Sequence, residues 1–132
     1  VGHFNKDSNV DIAVANFDTN NVLIFYGLGN GYFSEQREIS TNAARPIAIL
    51  GMHCNGDSLL DIVIASYGKH RIDMFYQHND GTFSLERTYS MGDDSYPVSL
   101  ASGDLNNDHY PDLVVANSGT NTISVLFGNS VG

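Results

Sequence analysis

The feature that most limits what this chain can fold into is a short acidic loop that occurs three times at nearly constant spacing. Its fullest copy is Asp104-Leu105-Asn106-Asn107-Asp108-His109-Tyr110-Pro111-Asp112, followed at once by the apolar run Leu113-Val114-Val115-Ala116. The other copies are Asn5-Lys6-Asp7-Ser8-Asn9-Val10-Asp11, leading into Ile12-Ala13-Val14-Ala15-Asn16, and Asn55-Gly56-Asp57-Ser58-Leu59-Leu60-Asp61, leading into Ile62-Val63-Ile64-Ala65-Ser66. Asn5 to Asn55 is 50 residues and Asn55 to Asn106 is 51. A fixed period of this size signals a repeat architecture, in which each unit buries its apolar surface against its neighbours.

The chemistry of the loop is that of a hard-cation site. Oxygen side chains recur at every second residue over Asp104, Asn106 and Asp108, and Asp112 adds a further carboxylate. Alternating side chains in a tight loop converge, and calcium prefers oxygen ligands. Three carboxylates crowded together without a cation repel one another. An EF-hand starts the same way but needs a Glu at loop position twelve and a helix after it. Position twelve here is Val115, inside a β-like run, so that reading fails. Asx-rich turns also cap hairpins without any metal. That reading stays open, most of all for the first two loops.

Seven of the fifteen acidic residues lie in these loops, so three divalent ions would bring the formal charge from -9 to -3. The acidity argues against a nucleic-acid partner, which needs a basic surface. Cys54 is the only cysteine, so no disulfide forms within the chain. It is expected to pack as a small apolar residue. No stretch is apolar enough for a membrane span, and no secretory leader opens the chain. Serine, histidine and aspartate are plentiful, but no nucleophile-elbow context surrounds them, so the chain is expected not to be an enzyme. His3 and His53 occupy equivalent loop positions in different units, too far apart to share a zinc or copper ion. They read as substituted ligands or surface residues.

In chain order, strands are expected over Ile12–Asn16, Asn21–Tyr26, Tyr32–Ile39, Ile47–Met52, Asp61–Ser66, Arg71–Tyr76, Thr82–Tyr89, Val98–Ser102, Asp112–Asn117 and Thr122–Phe127. Several are nearly continuous apolar runs, the pattern of strands covered on both faces. The third strand of each unit carries more polar residues and reads as an edge. No helical period is present. Four short strands per unit of about fifty residues fit the blades of a β-propeller better than a sandwich. The expected fold is therefore all-β: four-stranded antiparallel blades in a partial propeller of about two and a half blades. The chain reads as a single segment with units at 1–45, 46–96 and 97–132, the first short of an inner strand and the third short of an outer one.

Asp104-Leu105-Asn106-Asn107-Asp108 with Pro111-Asp112-Leu113-Val114-Val115-Ala116-Asn117, then Ile123-Ser124-Val125-Leu126-Phe127-Gly128-Asn129, resembles an FG-GAP/VCBS-type repeat. Asn79-Asp80-Gly81-Thr82-Phe83 resembles the turn of the same family into its outer strand. The resemblance implies blades of a calcium-binding propeller, often seven-bladed and related to the integrin alpha-chain head. It implies ligands Asp104, Asn106, Asp108, the Tyr110 carbonyl and Asp112 in the third loop. In the first it implies Asn5, Asp7, the Asn9 carbonyl and Asp11, and in the second Asn55, Asp57, the Leu59 carbonyl and Asp61. Two departures stand out. The opening aspartate is replaced by His3 and His53, so those loops are expected to bind Ca2+ more weakly. The usual glycine at position six is Ser8, Ser58 and His109. The implied function is an extracellular or cell-surface recognition module with a protein or glycan ligand. The alternatives are a lectin with sugar pockets between blades and an ancillary domain of a larger enzyme. The uncovered end blades are expected to drive self-association.

Overall fold

The computed structural model describes residues 1–42 and 44–129, with the backbone alone of Glu35. Residue 43, in the loop expected before the fourth strand, and residues 130–132 lie outside the described part. The strands are β1 Ile12–Asn16, β2 Asn21–Gly27, β3 Phe33–Ser40, β4 Pro46–Met52, β5 Asp61–Ser66, β6 Arg71–Gln77, β7 Phe83–Ser90, β8 Pro97–Gly103, β9 Asp112–Asn117 and β10 Thr122–Leu126. A 3₁₀ turn, Tyr67–Lys69, joins β5 to β6. All ten expected strands are present among the described residues, with ends moved by a residue or so.

They form three antiparallel sheets. The middle blade is complete, in the order β4-β5-β6-β7. The first has β1-β2-β3, with only an isolated Gly2–Asp11 bridge on its inner side, and the third runs β10-β9-β8. The polar third strands β3 and β7 are edges, as their composition requires. Inner strand β4 lies between β1 of the first blade and β8 of the third, so successive blades stack face to face.

The strand β5 shows why a run such as Ile62-Val63-Ile64-Ala65 needs no polar alternation. Successive side chains on a strand point to opposite faces. Ile62 and Ile64 pack with Phe4, Val22, Ile24 and Phe75 toward the first blade. Val63 and Ala65 pack with Met52, Met74, Leu113 and Val115 toward the third. Every residue of β5 is buried. The same expectation fails for the end blades. No residue of β1 is fully buried, and on β10 Ile123 is 71% exposed. Their apolar runs have a blade on one side only.

Candidate metal centre

Each loop closes on an aspartate that is fully buried: Asp11, Asp61 and Asp112 are all 0% exposed. A buried carboxylate needs strong donors, and each receives two backbone N–H groups. Asp112 accepts from Leu105 at 2.8 Å and from Gly128 at 2.8 Å. Asp61 accepts from Cys54 at 2.8 Å and Gln77 at 2.9 Å. Asp11 accepts from Phe4 at 2.6 Å and Gly27 at 2.9 Å. One residue thus ties the start of its loop to the end of the second strand of the hairpin it opens. These amide partners left no signal in the sequence, because a backbone N–H is the same at every residue type.

The middle of each loop is a run of Asx turns. In the first loop Asn5 Oδ1 accepts the Asp7 amide and Asp7 Oδ1 accepts the Asn9 amide. Asn55 and Asp57 repeat the pattern toward Leu59, and Asn106 and Asp108 repeat it toward Tyr110. In all three the asparagine side chain also donates to the aspartate two residues on. The nominated side chains therefore share one loop in each unit. Asp7, Asp57 and Asp108 are exposed, while Asn5 and Asn55 are half-buried. Among the described residues no three His, Cys, Asp or Glu side chains are gathered closely enough to hold an ion by themselves. An ion here has to draw on amide and main-chain oxygens as well.

Position one separates the loops. In the third, Asp104 accepts the amides of His109 at 2.9 Å and Asp108 at 3.2 Å. Desolvation works to raise its carboxyl, but the amides of His109, Asp108 and Asn107 outweigh it and hold Asp104 below the usual range. In the first two loops a histidine stands there instead. His3 Nδ1 lies 2.8 Å from the Asn9 carbonyl and His53 Nδ1 lies 2.8 Å from the Leu59 carbonyl. A carbonyl only accepts, so each ring nitrogen carries the proton and donates it. These histidines are loop-closing donors rather than idle surface residues. Their alignment with Asp104 was the available clue. The absence of glycine at position six is met differently too: His109 takes a left-handed φ of 72°.

Burial raises the Asp61 carboxyl, against the pull of the Gln77 and Cys54 amides. Burial first, then the charge of Asp61, pushes the Cys54 thiol up to about 12. Cys54 is partly buried against the core between the second and third blades, in line with its expected apolar role.

The opposite ends of the strands form a second rim, built from the turns after β1, β5 and β9 and the loops before β4 and β8. Rings line up along it: Phe17 to Tyr67 at 5.8 Å, Tyr67 to Tyr96 at 4.9 Å, with Arg45 over Phe17 at 5.2 Å. Arg45 and Tyr96, each just before a proline, hold left-handed φ of 49° and 46°, a costly conformation for large side chains. A Cβ on Gly119 would collide with the Asp94 carbonyl and the Tyr96 ring, so glycine is required where the turn passes beneath.

No helix is long and apolar enough to cross a membrane among the described residues. None of the curated proteins compared with the chain matches it. A family model described as FG-GAP-like repeat matches residues 54–129, from the second loop through the whole of β9 and β10. That span holds β5, β6 and β7 of the middle blade and the fullest loop, and it covers more than half of the sequence. The chain belongs to the FG-GAP-like repeat family, and its sheets are blades of a β-propeller.

Proposed function

We propose that this chain is a non-catalytic recognition segment of an extracellular propeller, stiffened by Ca2+ at its third loop. The observation that carries the reading is the double anchoring of Asp112, which couples that loop to both strands of the β9–β10 hairpin. Asp104, Asn106, Asp108, the Tyr110 carbonyl and Asp112 supply the all-oxygen set that calcium prefers. An ion held there would be shared between these carboxylates and the neutral oxygens beside them. Its role is structural, and the aromatic rim at the other end of the strands is the surface left for a protein or glycan partner.

A ligand that binds only the folded form stabilises it by about 2.7 kcal/mol at a free concentration one hundred times Kd. Calcium is therefore expected to raise Tm, and Asp108→Ala, at an exposed position, to remove most of that rise. Identical melts with calcium and with chelator would defeat the reading. The exposed stripe of Ile123 and Val125 on β10 and Phe127 just after it is expected to drive self-association. Sedimentation at rising concentration checks this, and a constant monomer would count against it.

A further inference from the structure

We propose that the first two loops are not ion sites, because His3 and His53 each close their loop with a proton where the third loop uses a cation. The proposal rests on the calcium reading of the third loop. Two separate copies show the same contact, an imidazole Nδ1–H donating to the position-seven carbonyl at 2.8 Å. That carbonyl is the main-chain oxygen that corresponds to Tyr110, one of the donors assigned to the ion. With a ring N–H directed at it, the space between positions one and seven holds a proton, and a divalent cation placed there would meet that N–H. The protonated nitrogen has no lone pair to offer a metal, and calcium in any case selects oxygen.

The third loop is built differently at the same points. Asp104 is an acceptor, so it cannot bond a carbonyl, and it gathers the amides of Asp108 and His109 instead. Position six is left-handed there, and among the described residues with positive φ neither Ser8 nor Ser58 appears. The third loop also brings three carboxylates, Asp104, Asp108 and Asp112, against two in each of the others. The histidine does mechanically what an ion would do, holding position one to position seven, so the first two blades keep their loops without metal.

The test counts ions on the full 132-residue chain after chelation, by calorimetric titration with calcium. One ion per chain is expected. The double variant His3→Asp/His53→Asp, which restores the missing carboxylates and removes both donors, is expected to take up additional ions. Three ions on the unaltered chain would overturn the proposal and leave the calcium reading intact. No ion on the unaltered chain, but uptake by the double variant, would support the proton-closed loops and sink the calcium reading of the third. Should the double variant fail to fold, amide NMR of the unaltered chain decides. Calcium is expected to shift Asp108, His109 and Tyr110 and leave Asp7, Asn9, Asp57 and Leu59 in place, and equal shifts in all three loops would refute the proposal.

Discussion

The two seams between blades are built from equivalent positions and filled in different ways. At the first, Phe4 is 1% exposed and packs edge-to-face with Phe83 at 6.5 Å. Gln77, itself buried, crosses the same seam to donate to the Phe4 carbonyl at 2.7 Å. At the second seam the residue in Phe4's place is Cys54, and the counterpart of Gln77 is Gly128, which has no side chain to send across. A pocket of about 450 Å³ opens there, bordered by Cys54, Met74, Tyr89, Leu113 and Leu126, while the first seam carries two smaller ones, of about 390 Å³ beside Phe83 and about 220 Å³ beside Phe4 and Gln77. The backbone scheme is common to both seams, including the two amides on the closing aspartate. What differs is the side chain each seam receives: an aromatic ring and a crossing amide at the first, a thiol and a glycine at the second.

The sharpest way to break this comparison is to shorten the two equivalent residues. Phe4→Ala is expected to cost about 3–5 kcal/mol, the range for removing a buried aromatic side chain. Cys54→Ala, beside a pocket, should cost about 1 kcal/mol or less. Equal losses in denaturant unfolding would show that the seams are equally packed. Next in size is Gln77→Ala. It leaves a buried carbonyl without its donor, at about 1–3 kcal/mol, and an unchanged midpoint would mean the seam does not depend on that bond.

The smallest effect concerns ionisation at the second seam. The Cys54 thiol is pushed from 9.0 up to about 12 in the folded chain. Between those values the unfolded chain holds fewer protons than the folded one, so stability falls as pH rises through that window. Below it, the folded thiol is protonated and a poor nucleophile. Alkylation near pH 8 is expected to be slow and to quicken when mild denaturant opens the seam. Prompt labelling of the native protein would place Cys54 in a polar setting instead.

Much of this was legible in residue order. Ile62 to Ala65 without a polar interruption already required cover on both faces, and β5 has it. Pro46 and Pro97 each stand at the first residue of their strand, the position in a ladder that tolerates proline. The closing aspartates were visible as the end of a repeated loop, but their amide partners were not. Gly27 lies 16 residues from Asp11, and nothing in its own identity names the bond. Gln77 was unremarkable in the sequence because its partner lies 73 residues away. His3 and His53 were seen as lost ligands; that they donate across the loop depends on where the ring sits once the turn has closed.

By itself, then, the sequence determined the repeat, the strands and the oxygen-rich loops, since period, alternation and Asx-turn chemistry act over a few neighbouring residues. Only the tertiary structure decided which face of each strand meets another blade, which donors the buried carboxylates keep, and which side chains cross each seam. Those outcomes depend on atoms brought together by chain reversal and stacking, whose distances no local pattern encodes.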